Sequence, residues 1–168
     1  KEELGIKGPK MILFGDLHVH TTYSNDAFLL SLPMMSGEGT HPPADACDFA
    51  RFCSSLDFWA NTDHAEDLTQ QDWQETKDSV RQCNEAGGVS SSPDTVAFLG
   101  WEWSQIGGFG KPHFGHKNII LKGLDEDQIP TRPIAASTGL GFLSMPYSLK
   151  FTLSALRPTD RRIHDLMR

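Results

Sequence analysis

The stretch GDLHVHTTYSNDA, Gly15 to Ala27, places His18 and His20 one residue apart, with Asp16 just ahead and Asp26 six residues further on. In a strand, residues i and i+2 point the same way, so His18 and His20 form a two-toothed clamp for a metal ion. Three more clusters follow. NTDH holds Asp63 and His64, GWEW holds Glu102 between Trp101 and Trp103, and HFGH holds His113 and His116. Burying a lone carboxylate in an apolar strand costs on the order of several kcal/mol unless it is paired or bound to a cation, so Glu102 calls for a partner. Imidazole and carboxylate donors suit zinc, iron or manganese, and no thiolate is placed to join them. Donors of this number and mixture predict more than one ion. A carboxylate bridging two ions about 3.5–4 Å apart is the usual device for activating water.

A fold must bring these clusters together. The run KMILF before the first cluster reads as part of a buried strand. Residues 28–42 carry Gly and Pro and read as a loop. In PPADACDFARFCSS, Ala46, Phe49, Ala50 and Cys53 fall at i, i+3, i+4 and i+7, a helical face, and Pro43 suits the first turn. LDFWANTDH is a second strand. A helix then runs from an N-cap at Thr69 to Gly87–Gly88, with Trp73, Val80 and Cys83 sharing a face. TVAFLGWEW is a third strand, QIGGFGKPHFGH a glycine-rich loop and KNIILK a fourth strand. The chain from Gly123 reads as loop and weaker helix. Strand–helix–strand–helix–strand predicts an α/β fold with a parallel sheet, whose strands present ligand sites at their C-terminal ends.

The bulk numbers narrow the choice. A chain of 168 residues predicts one domain, 1–168, and 38% apolar residues give it a core to bury. A net charge of −7 argues against a nucleic-acid-binding face, which needs clustered Lys and Arg. A phosphorylated small molecule remains compatible, because bound cations reverse the local field. No apolar run is long enough to span a membrane, and KEELGIKGPK is not a targeting segment. The cysteines Cys47, Cys53 and Cys83 fit no zinc knuckle or redox pair, so they read as plain buried thiols rather than a disulfide.

GDLHVHTTYSNDA, DFWANTDHAE, FLGWEW and GHKNIIL resemble, in this order, the first motifs of the PHP (polymerase and histidinol phosphatase) family. The spelling with TDHAE and GWEW is similar to a large PHP-related branch, and the resemblance covers roughly residues 11–122. It implies the N-terminal portion of a distorted (βα)7 TIM-like barrel, incomplete at its C-terminal end, with two or three divalent ions (Zn, Mn or Fe). It implies that His18 and His20 hold one ion, that Glu102 bridges it to a second held by His116, and that Asp26 and His64 face a third. Catalytic weight would fall on Glu102, His20 and Asp63, the last orienting His64 or a neighbour. The expected activity is a metal-dependent hydrolase, a phosphoesterase first, with amide or ester hydrolysis and an inert metal-binding module as competitors.

Other polar residues carry plainer readings. His41 reads as a loop residue, His164 as a surface histidine and Lys117 as a surface lysine rather than a phosphate ligand. Glu66 reads as a favourable charge at the next helix start. Trp101 and Trp103 either pack the core or wall the pocket. Asp16 reads either as a support to the neighbouring ligands or as structural.

Overall fold

The computed structural model describes residues 12–35, 37–88, 92–105 and 114–136. Its order is β1 (Gly15–Val19), α1 (Asn25–Leu30), a 3-10 turn (Pro33–Met35), α2 (Pro43–Asp48) running into a π-helical turn (Phe49–Cys53), β2 (Phe58–Asn61), α3 (Gln70–Ala86), β3 (Val96–Gln105) and β4 (Gly115–Ile120). The strands form one curled half-barrel sheet in the order β1-β2-β3-β4.

β1, β2 and β3 pair in parallel, as the alternating pattern predicts. β4 does not: it pairs antiparallel to β3, from Gly100 opposite Ile120 to Gln105 opposite Gly115. This corrects the expectation of an all-parallel sheet. The reason is the length of the connection. Only residues 106–114 separate β3 from β4, whereas a parallel crossover needs about a dozen residues or more. Gly115, at φ +77°, opens the returning strand in a conformation that glycine adopts freely.

The core lies on the helical side of the sheet. Trp59, Ala97, Leu99 and Trp101 meet Trp73, Val80 and Cys83 of α3 and Cys47 and Ala50 of the α2 segment. Trp73 packs edge-on to Trp101 at 5.8 Å, and its indole N–H donates to the Pro130 carbonyl at 3.0 Å. The α3 start is a capping box: Thr69 Oγ1 accepts from the Asp72 amide at 3.1 Å, and the Asp72 carboxylate accepts from the Thr69 amide at 2.8 Å.

Four readings need correction here. Cys47 and Cys83 are not free thiols but a disulfide joining α2 to α3, and Cys53 is the exposed free cysteine. The buried positions of the α2 segment are Pro43, Cys47 and Ala50, while Phe49 is 63% and Phe52 70% exposed. The bridge turns Cys47 toward α3, so the buried line runs through Pro43, Cys47 and Ala50, and of the predicted face Phe49 and Cys53 are left outside it. The apolar lead into β1 is not buried among the described residues, since Ile12 is 82% and Phe14 67% exposed. Among the described residues β1 is the edge of the sheet, with a strand on one side only. Residues 25–30, read partly as loop, form α1.

Candidate metal centre

His18 and His20 owe their direction to a bulge. Asp16 pairs with Trp59 and Val19 with Asn61, so three steps along β1 match two along β2. Partners in a ladder share a face, which puts Asp16 and Val19 on the core side despite their odd spacing. His18 and His20 therefore turn to the opposite face, the one that Glu102 occupies next to the core-facing Trp101. His18 Nε2 lies 3.0 Å from Glu102 Oε2 and 2.9 Å from His20 Nε2, and His20 Nε2 is also 3.0 Å from Glu102 Oε2. Asp16, on its own side, accepts the His18 backbone N–H at 2.9 Å.

Glu102 is 1% exposed and uses both oxygens. Oε2 faces His18 and His20, with His64 Nδ1 at 3.7 Å, while Oε1 is in short contact with His116 Nδ1 and accepts the Ser104 hydroxyl at 3.0 Å. His116 reaches this end because β4 is antiparallel: it pairs with Ser104, two residues beyond Glu102. Had β4 been parallel, a histidine at its start would lie at the far end of the sheet.

His64 follows β2 and bridges to Glu102 in parallel register. Its Nε2 lies 3.1 Å from Asp26 Oδ2 and its Nδ1 2.9 Å from Ser104 Oγ. Asp26 sits in the first turn of α1, which Asp67 anchors by accepting the Asn25 backbone N–H at 2.8 Å and its side-chain amide at 2.6 Å.

Asp63 is fully buried and hydrogen-bonds to no histidine ring among the described residues. It accepts from the Thr21 backbone N–H at 2.6 Å, the Thr21 hydroxyl at 2.7 Å, the Ser24 hydroxyl at 2.8 Å and the Asn61 side-chain amide at 2.8 Å. Ser24 in turn lies 2.7 Å from His20 Nδ1 and accepts the His64 backbone N–H at 3.0 Å. Asp63 thus acts on His20 and His64 through Ser24.

The charges are coupled. Burial works to raise the Glu102 carboxyl, but the His18 hydrogen bond, the His64 charge and the His116 and Ser104 bonds hold it below the usual glutamate range. Burial opposes charge on His64 as well, yet the Asp26 hydrogen bond and the Asp26 and Glu102 charges raise it. Burial and the neighbouring His64 lower His20. Asp26 falls below its ordinary value because His64 and the Ala27 amide outweigh its own desolvation.

Three donor sets result: His18, His20 and Glu102; His20, Asp26 and His64; His64, Glu102 and His116, each with its donor atoms within 4.8 Å of one another. Nitrogen and oxygen donors about 2.1 Å from one ion lie roughly 3.0 Å apart when they subtend a right angle. The first set, at 2.9–3.0 Å, meets that spacing. The donor chemistry and spacing therefore fit divalent cations. All six predicted ligands converge.

Other residues fall elsewhere. His41 is exposed and faces Asp45 at 3.2 Å. Lys117 donates to the Phe114 carbonyl at 2.6 Å and lies over the Trp103 ring at 5.1 Å, so Trp103 meets a cation while Trp101 packs the core. Burial pushes Glu66 up to about 7. His113 and His164 lie outside the described residues. The hydroxyls of Thr21, Ser24 and Ser104 are the site residues that spacing missed. Their signal was slight, four residues from His20 to Ser24 and two from Glu102 to Ser104.

The profile of a family described as "Protein of unknown function (DUF3604)" matches residues 7–69. That span covers β1 through the α3 N-cap and includes His18, His20, Asp26, Asp63 and His64, but not Glu102 or His116. No curated protein and no solved structure matches the chain. Among the described residues no helix is long and apolar enough to cross a membrane.

Proposed function

We propose that the chain carries a metal-dependent hydrolase site, a phosphoesterase first, built on one arc of a PHP-like barrel. The parallel β1-β2-β3 order and the curl of the sheet support the barrel reading, and the antiparallel β4 departs from it. The observation that carries the functional reading is Glu102: a carboxylate 1% exposed, with one oxygen against His18 and His20 and the other against His116. A buried carboxylate with imidazoles on both sides is the arrangement that shares one side chain between two cations.

His18, His20 and Glu102 would hold one cation, His116 with Glu102 a second, and His64 with Asp26 a third. Bound there, divalent cations would supply Lewis acidity and a water acidic enough to ionise near neutral pH. The protein supplies orientation. Ser104 ties Glu102 to His64 and His116, and Ser24 ties His20 and the His64 backbone to buried Asp63. The His18 side chain is 53% and that of Asp26 57% exposed, which leaves a path for a small anionic substrate on that side.

Lys117 favours a second reading. It spends its ammonium on Phe114 and Trp103 rather than on the cluster, so it provides no phosphate clamp, and an amide or ester substrate fits equally well. Protein loaded with Mn, Fe or Zn and offered phosphomonoesters, phosphodiesters, esters and amides decides. Turnover abolished by His20→Ala supports the hydrolase. Bound metal without turnover on any substrate overturns it in favour of an inert metal-binding module.

A further inference from the structure

The hydrogens around Ser24 can be counted without ambiguity. Ser24 and Asp63 are both fully buried. Asp63 receives four donors, which is the full capacity of an ionised carboxylate and leaves it no proton to give. The single Ser24 hydroxyl hydrogen, 2.8 Å from Asp63 Oδ1, must therefore point at Asp63. The His64 backbone N–H, a donor only, takes one Ser24 lone pair at 3.0 Å. His20 Nδ1, at 2.7 Å, faces the remaining lone pair, and two bare lone pairs at that distance would repel. His20 Nδ1 must then carry a hydrogen.

We propose that Ser24 is a positioning residue that fixes a hydrogen on His20 Nδ1, so that Nε2, 2.9 Å from His18 Nε2 and 3.0 Å from Glu102 Oε2, is the ring nitrogen left to ligate a cation. The lock rests on the metal-site reading above, because reserving Nε2 is useful there only for a ligand. It also assigns Asp63 its part: the buried carboxylate orients the hydroxyl, and the hydroxyl orients the ring. His18 differs. Its side chain is half-exposed, and Glu102 holds its Nε2 at 3.0 Å where Ser24 holds the Nδ1 of His20.

The test begins on the wild-type chain, stripped of metal by chelation and held at mildly alkaline pH. Long-range ¹H–¹⁵N spectra of the histidine rings should show a hydrogen on His20 Nδ1, whether or not Glu102 holds a second one on Nε2. Ser24→Ala should mix the two tautomers and weaken zinc binding about 10- to 100-fold in competition with a chromophoric chelator. A His20 with a bare Nδ1 in the metal-free wild type overturns the lock. So does a folded Ser24→Ala protein that binds zinc at wild-type affinity. If Ser24→Ala does not fold, the wild-type spectrum still decides. A wild type with Nδ1–H His20 that takes up no zinc refutes the metal reading instead, and the tautomer assignment stands apart from it.

Discussion

At the scale of single residues, Glu102 concentrates the design. Its carboxylate keeps its charge against burial because imidazoles and a hydroxyl surround it. Glu102→Gln keeps the shape and removes the charge, so zinc affinity by calorimetric titration should fall by at least about 10- to 100-fold. His64 and Asp26 give a pH-dependent counterpart in the metal-free protein. His64 is raised above 6.5, so its charge stabilises the fold fully below that value and is lost as pH rises through the raised value. Asp26 is lowered below 3.8, so its contribution is present above that and is lost as pH falls through the lowered value. Asp26→Asn should lower the His64 midpoint in an NMR titration and should cost more stability near about pH 6 than near about pH 9. Equal cost at both would show that the two side chains are not coupled. The converging histidines and acids were legible because their spacing is distinctive. The hydroxyls were not, since serine and threonine at such spacings are ordinary and only burial reveals Ser24 and Ser104 as part of the site.

At the scale of elements, the alternation of apolar and polar residues was enough to find β2, α3 and its cap. Two features lay beyond it. The β1 bulge depends on pairing with β2, which no local pattern records. The direction of β4 was written in the short 106–114 connection, a length that favours reversal over crossover. Gly100 is where that reversal packs closest: a Cβ there would stand 2.5 Å from the Ile119 carbonyl oxygen. Gly100→Ala should push β4 away, cost about 1–3 kcal/mol in denaturant unfolding and weaken metal binding at the His116 set. Unchanged stability would mean that the strands are not so close. The disulfide was missed because Cys47 and Cys83 sit on separate helices, and an odd cysteine count gives no pairing rule. The bridge closes a separation of 36 residues, which chain entropy converts to about 4 kcal/mol. Cys47→Ser should lower unfolding free energy by an amount of that order. Without reductant, native protein should expose one reactive thiol, Cys53, of its three cysteines.

At the scale of the whole molecule, the half-barrel separates two tasks. The helical side carries the core of Trp59, Trp73, Leu99 and Trp101, and the opposite face at one end of the sheet carries the histidines and acids. The α/β class and the convergence of the clusters followed from strand order. The closeness of Glu102 to four histidines did not, because it needs the curl, the bulge and the antiparallel strand together. Occupied donor sets should also stabilise the fold as a whole, by about 2.7 kcal/mol when free metal is a hundredfold above its dissociation constant. Chelation should therefore lower the melting temperature and metal should restore it. The most direct measurement is elemental analysis of metal-loaded protein combined with anomalous scattering from its crystals. Two or three ions should appear among His18, His20, Asp26, His64, Glu102 and His116, and His20→Ala should remove at least one. Stoichiometric protein without metal after loading with Zn, Mn or Fe, or ions bound away from these six residues, would contradict the account.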